Sequence, residues 1–244
     1  MCVKLLLKLE HKKKYIGIPK VLLVYYTRYR NRHVKQVQHM AVKQRRPYVS
    51  EQEYLDGEQL TEIKHEYING EVYAMAGAHR NHVRLADNIM LQFMNHLKGK
   101  SCQPFSSDLK IKIGKNFFYP DVMVDCSDDE YDYYTESPTI IVEVLSKSTR
   151  QKDRTLKRDL YLTIPTLQEY VLIEQDFVDV EIQRCTNGWQ SEHFYLDQDV
   201  YFQSIDLTVK VADIYDRVKN EDMQQWWAKK AEVAQAKQSE NDLG

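Results

Sequence analysis

Long apolar runs are missing from this 244-residue chain. The longest near the N-terminus, Val21-Leu22-Leu23-Val24-Tyr25-Tyr26, falls far short of the roughly 18 residues that a bilayer-spanning helix needs, so no membrane partner is expected. Glycine (8) and proline (6) are scarce, which excludes collagenous and low-complexity classes. A hydrophobic share of 43% beside 29% charged residues excludes disorder of the whole chain. Cysteine is limited to Cys2, Cys102, Cys126 and Cys185. They show no CxxC spacing and no histidine at zinc-ligand distance, so neither a metal knuckle nor a disulfide scaffold is signalled, and the reducing cytoplasm is the expected compartment. Internal repeats are also lacking.

What is present is unevenly distributed. Residues 1–46 hold 13 of the 34 Lys and Arg with a single acid, Glu10, a charge of +12; the remaining chain sets 21 basic against 35 acidic residues, or −14. The acidic part is not built to grip a polyanion over a wide face. Three readings stay open for the first 39 residues: a translation start set too far upstream, with Met40 as a later candidate; a basic nucleic-acid-binding arm; and a short accessory fold. A signal peptide fits worst, because Leu5-Leu6-Leu7 is too short for its apolar region and is trailed by Lys12-Lys13-Lys14. The expected division is a basic extension at 1–46, one layered domain at 47–218 and a helical tail at 219–244.

Ordered patterning begins at Ser50. Ser50-Glu51-Gln52-Glu53 has the capping-box form and predicts a helix to about Leu60. Asn69-Gly70 between Tyr67-Ile68 and Val72-Tyr73 predicts a type I′ hairpin. Val83, Ala86, Ile89, Met90, Phe93, Met94 and Leu97 recur at spacings of three and four, an apolar stripe on a helix from about His79 to Lys98. The period then drops to two, with Leu109, Ile111 and Ile113 followed by Tyr119 to Val124, two strands expected side by side. Beyond an acidic loop, Thr139 to Leu145 is apolar on both faces save at one position, as in a central strand covered on both sides. A helix to about Thr163, stopped by Pro165, a strand at Glu169 to Glu174, a second hairpin around Asn187-Gly188 and helical propensity from Asp213 to about Gln238 complete a mixed α/β plan. The adjacent Trp226 and Trp227 suggest self-association, since two exposed indoles are costly on a monomer.

The exception in the apolar strand is Glu143. An ionised carboxylate in a strand core costs several kcal/mol unless it is paired, hydrogen-bonded or metal-bound; a salt bridge to the next helix and a metal-ligand role both answer that need. Asp121 opens the neighbouring strand on the face shared with Met123. Two carboxylates on adjacent strands can share one hard cation, and without it they would repel. On the helix that follows, Asp153, Lys157 and Tyr161 fall at i, i+4 and i+8, one face, beside an apolar stripe marked by Leu156 and Leu160. A lysine there could stabilise charge on a phosphate or orient a water, or simply pair with Asp153.

The strings Tyr67-Ile68-Asn69-Gly70-Glu71-Val72, His82, Pro120-Asp121-Val122-Met123-Val124, Ile141-Val142-Glu143-Val144-Leu145-Ser146, then Asp153, Lys157 and Tyr161, together resemble the Uma-type restriction endonuclease family of the PD-(D/E)XK nuclease superfamily. The resemblance spans roughly Tyr48 to Val218. It implies a restriction-endonuclease-like α/β fold, a mixed central sheet flanked by helices, and an enzyme that cuts DNA, RNA staying open; the chain's own pattern adds extra N- and C-terminal hairpins, its cysteines a cytoplasmic compartment and its paired indoles a homodimer. The cofactor it implies is Mg²⁺ or Mn²⁺ on Asp121 and Glu143. The superfamily's lysine, two residues after the second acid, is replaced by Leu145. Lys157 matches the lysine that this family carries in the next helix, while Lys147 stands where proline is expected and is its rival. Glu66, His82, Asp108 and Tyr161 are supporting positions: Glu66 matches a family acid able to line the cleft, His82 suits packing or capping as well as a base, and Asp108 is a third carboxylate or a loop residue.

Two lysine and arginine clusters offset the acidic charge locally, at Lys98, Lys100, Lys110, Lys112 and Lys115, and at Lys147, Arg150, Lys152, Arg154, Lys157 and Arg158. The second, beside Glu143, supports phosphate binding. The competing expectation is a nuclease fold that has lost the reaction and binds nucleic acid or acts as a scaffold; Leu145 and the acidic charge favour it.

Overall fold

The computed structural model describes residues 48–128 and 131–241, so the readings of the segment 1–46 lie outside the described residues. The capping box forms as expected. Ser50 Oγ accepts from Glu53 N (3.3 Å), Glu53 Oε2 accepts from Ser50 N (2.9 Å), and helix α1 runs Glu51–Glu58. Strands β1 (His65–Ile68) and β2 (Glu71–Ala74) join through Asn69 (φ 49°) and Gly70 (φ 88°), the two positive angles of a type I′ turn. A side chain at Gly70 would also meet the Tyr48 ring at 2.3 Å. Helix α2 (Arg80–Leu97) is capped by His79, whose Nδ1 accepts from Asn81 N at 3.3 Å. Leu85, Ile89, Phe93 and Leu97 are its buried row, while Val83 and Met94, expected in the stripe, are exposed. A single i, i+4 line faces the sheet, and those two residues flank it.

The remaining strands are β3 (Gln103–Ser106), β4 (Lys110–Ile113), β5 (Asn116–Phe118), β6 (Val122–Asp125), β7 (Tyr134–Thr135), β8 (Pro138–Leu145), β9 (Glu169–Glu174), β10 (Val180–Arg184), β11 (Ser191–Phe194), β12 (Asp199–Phe202) and β13 (Leu207–Lys210). Helix α3 is a continuous run of three pieces, Arg150–Lys152, a π-helical turn Asp153–Lys157 and Arg158–Tyr161. Short α4 (Val211–Ile214) and long α5 (Glu221–Asn241) end the described chain. Six strands form a sheet in the order β11-β10-β9-β8-β6-β3, five form a second in the order β2-β1-β5-β4-β7, and β12-β13 are a separate pair. In the six-stranded sheet β8 and β9 run parallel and every other pair is antiparallel.

This arrangement corrects three expectations. The strands around Ile111 and Val122 do not pair: β5 pairs with β4 instead, and β6 lies in the other sheet between β3 and β8. The hairpin β10–β11 is the edge of the central sheet rather than an appendage, and the chain ahead of the tail adds β12–β13. Cys102 and Cys126 are joined by a disulfide. Antiparallel pairing sets Gln103 opposite Asp125, so the flanking cysteines meet although 24 residues separate them.

Period-two alternation sorts the core into layers. Val122, Val124, Ile140, Val142 and Val144 face α2 with Leu85, Ile89 and Phe93. Met123, Ile141 and Leu145 face the other way, toward Ile111 and Phe118 of the five-stranded sheet and Tyr161 of α3. Beyond that sheet Tyr54, Tyr67 and Phe117 pack under α1. Trp226 packs partly buried on the α2-side core and donates to Asp197 Oδ1 at 3.0 Å, leaving Trp227 as the exposed indole of the pair. No helix among the described residues is long and apolar enough to cross a membrane.

Candidate active site

Glu143 lies on the β8 face that carries Ile141 and Leu145, so its carboxylate enters the layer between the two sheets and is 3% exposed. Lys157, 5% exposed, answers it from α3: Nζ stands 3.0 Å from Glu143 Oε1. Tyr161 OH donates to the same oxygen at 2.8 Å. The ammonium is also 2.9 Å from Glu66 Oε1 and 3.3 Å from Asp153 Oδ1, so strand β1, strand β8 and helix α3 converge on one cation. Glu66 is turned inward because its neighbour Tyr67 belongs to the layer under α1. Lys152 ion-pairs with the other oxygen of Glu66.

Asp121, just before β6, completes the group from the adjacent strand. Its Oδ2 accepts from Val144 N at 2.7 Å, one residue beyond Glu143, and lies 3.2 Å from His82 Nε2 on the first turn of α2. Burial pulls the His82 imidazole toward neutrality, but the hydrogen bond and charge of Asp121 outweigh it and leave its pKa raised. Burial likewise pushes the Glu143 carboxyl well above the usual carboxylate range against the pull of Lys157, and Asp153, Asp121 and Glu66 add to the rise. Lys157 is held well above its ordinary value: burial opposes its charge, and Glu143, Tyr161, Glu66 and Asp153 more than restore it. For Glu66 the two lysines overcome burial and lower the carboxyl.

Of the residues singled out in the sequence, Asp121, Glu143, Lys157, Tyr161, Glu66 and His82 come together. Lys147 and Asp108 do not join them. Strand β8 stops at Leu145, and the turn Ser146 to Thr149 carries Lys147 out to solvent. Asp108 is 79% exposed and pairs with Lys64 at 2.5 Å. Leu156, expected in an apolar stripe, is exposed as well, because the π turn shifts the phase of α3. Sequence reasoning left Asp153 out of the site residues and read Lys152 only as one of the basic cluster beside Glu143. The i, i+4 pairing of Asp153 with Lys157 was a signal for the first; nothing local marks Lys152, whose partner is 86 residues away.

Four carboxylates against two lysines leave a formal surplus of two negative charges with His82 neutral. Glu66 Oε1 and Asp153 Oδ1 are buried and without a hydrogen bond despite facing Lys157. An all-oxygen donor set with surplus negative charge suits a hard divalent cation, which typically takes one or two carboxylates and keeps its waters. Among the described residues no three His, Cys, Asp or Glu are arranged as a ready ligand set, and the Lys157 ammonium sits among three of the four acids.

The sequence matches the Uma2 family, described as putative restriction endonuclease, over residues 51–210. The uncharacterised protein slr1290 of Synechocystis sp. is 35% identical over 175 residues, which cover 69% of this chain and 92% of that one. A second uncharacterised Synechocystis protein, sll1609, is 37% identical over 135 residues, covering 53% and 76%. Among solved structures, that of a putative nuclease belonging to DUF820 from Anabaena variabilis superposes with a TM-score of 0.60 at 21% identity, over 70% of this chain and 99% of that one, a likeness of fold. The chain therefore belongs to the Uma2 family and has its restriction-endonuclease-like α/β architecture.

Proposed function

We propose that this protein is a metal-dependent endonuclease hydrolysing phosphodiester bonds in DNA, with Asp121 and Glu143 as cation ligands and Lys157 as the lysine of the site. The observation that supports it is the convergence of acids from two adjacent strands on one face, with a buried lysine beside them. Mg²⁺ or Mn²⁺ held there would supply Lewis-acid neutralisation of the charge that develops on the phosphodiester. The protein's own groups prepare the ligands. Lys157 and Tyr161 fix one oxygen of Glu143, leaving the other for a cation; Val144 N–H and His82 orient Asp121. The family membership favours nucleic acid as substrate, DNA before RNA. A homodimer would place the exposed Trp227 at its contact.

Two observations favour a second reading, a nuclease fold that binds nucleic acid without cutting it: Leu145 stands where the superfamily's lysine is usual, and Lys157 already occupies much of the acid cluster. Nicking of supercoiled plasmid in Mg²⁺ separates them. The wild type should cut, and Glu143→Ala should lose at least about 100-fold, since even outer-shell changes at metal sites cost 10- to 100-fold. Equal nicking by the two proteins would remove the site assignment, and a wild type that binds duplex without nicking would establish the second reading.

A further inference from the structure

The geometry points to Lys152, rather than Lys157, as the lysine that contacts a phosphate of the bound nucleic acid. This rests on the reading above that the acid cluster is a nuclease site.

Lys157 is badly placed to meet a substrate. Its ammonium is enclosed by Glu66, Glu143 and Asp153 at 2.9, 3.0 and 3.3 Å, with the Phe118 ring at 5.9 Å. Only 6% of its side chain is exposed. To reach a phosphate oxygen it would have to leave a buried carboxylate unpaired, and a buried charge stripped of its partner is strongly destabilising. Lys157 is therefore a positioning residue that holds the acids at their spacing.

Lys152 sits one turn earlier on α3 and on the same Glu66, but its side chain is 29% exposed. Glu66 is its hydrogen-bond acceptor. The ammonium lies 5.5 Å from the Tyr73 ring and 5.8 Å from the Phe118 ring, contacts that steady the charged head and leave N–H donors for an incoming oxygen. Glu66 retains Lys157 when Lys152 turns toward a phosphate, so the exchange strands no buried charge. The shared carboxylate couples the two roles: it anchors Lys157 inside and presents Lys152 at the rim.

A salt titration tests this without depending on cleavage. Binding of a short DNA duplex is measured across a salt series in the Glu143→Ala background, with and without Lys152→Gln. Each phosphate neutralised contributes about 0.9 to the slope of log K against log salt, so Lys152→Gln should lower the slope by about that amount, and Lys152→Arg should keep it. A merely structural role would leave the slope unchanged, and an unchanged slope overturns the proposal. In the cutting enzyme Lys152→Gln should raise KM more than it lowers kcat. Nicking by the wild type with an unaltered slope in Lys152→Gln would sink the phosphate contact and leave the nuclease reading standing. A lowered slope without nicking would do the reverse, and no duplex binding at all would overturn both.

Discussion

A buried ammonium among three carboxylates is stabilising only as long as every member stays, because each was taken out of water on the strength of the others. Lys157 is that member here: its removal leaves Glu66, Glu143 and Asp153 in the layer between the sheets with Lys152, Tyr161 and Thr149 as their respective remaining partners. We expect Lys157→Met to lower the free energy of unfolding by about 3–5 kcal/mol at neutral pH. Adding Glu143→Gln should recover part of that loss, a coupling that a double-mutant cycle in urea reads directly. Strictly additive losses would show that the lysine does not hold Glu143. Glu143 was legible in the sequence for the same physical reason, as one acid in a strand apolar on both faces. Lys152 was legible only as one of a basic cluster, because a lysine on a helix surface has no individual pattern until the partner strand is known.

Helix α3 carries the site on one side and is fastened to the central sheet on the other. Arg150 donates to Glu174 (2.9 and 2.5 Å) on β9, Arg154 pairs with Glu181 on β10 and lies 3.6 Å from Glu174, and Arg158 donates to Gln183 at 2.7 Å. These arginines stand four residues apart, one row of the helix. The acidic partners lie on buried strands, so the pairs are screened less than surface bridges. Burial works to raise the Glu181 carboxyl, but hydrogen bonds from Ser191 and Gln183 and the pairing with Arg154 leave it lowered. A carboxylate whose folded pKa is depressed adds stability that is complete above its unfolded value, about 4.3, and is lost as pH falls through the folded one. Glu181→Gln should therefore cost about 1–3 kcal/mol at pH 7, and the deficit should shrink below about pH 4. A deficit that stays constant on acidification would separate the row from the charge of Glu181. Neither the row nor the strands β12 and β13 was legible: the arginines looked like a phosphate-binding cluster, and each strand is four residues of weak alternation in a polar stretch.

At the scale of the molecule, what alternation cannot say is which strand pairs with which. Ile111 and Ile113 read as a strand, as do Val122 to Val124, and the pattern sets the two side by side because nothing between them marks a change of sheet. Three residues, Asn116–Phe118, turn back on β4 and separate the sheets. The separation creates the interlayer into which Glu143, Lys157 and Glu66 point, so the site owes its existence to a step that the hydrophobic pattern does not mark. The same blindness to pairing hid the disulfide, since Cys102 and Cys126 become neighbours only through the β3–β6 register. That bond ties the edge strand β3 to β6, the strand that Asp121 opens. Closing a loop of 24 residues removes unfolded-chain entropy worth about 3 kcal/mol, most of which should appear as a lower unfolding free energy in Cys102→Ser or after reduction. Asp121 lies at the other end of β6 from the bond, held by Val144 and His82, so its place in the site should outlast that loss. The check pairs two measurements on the reduced protein: urea unfolding, expected to shift by about 3 kcal/mol, and calcium affinity, expected to stay within about twofold because the proposed ligands Asp121 and Glu143 are held by other partners. Calcium binding that falls together with stability would mean that the acids depend on the edge strand rather than on the interlayer.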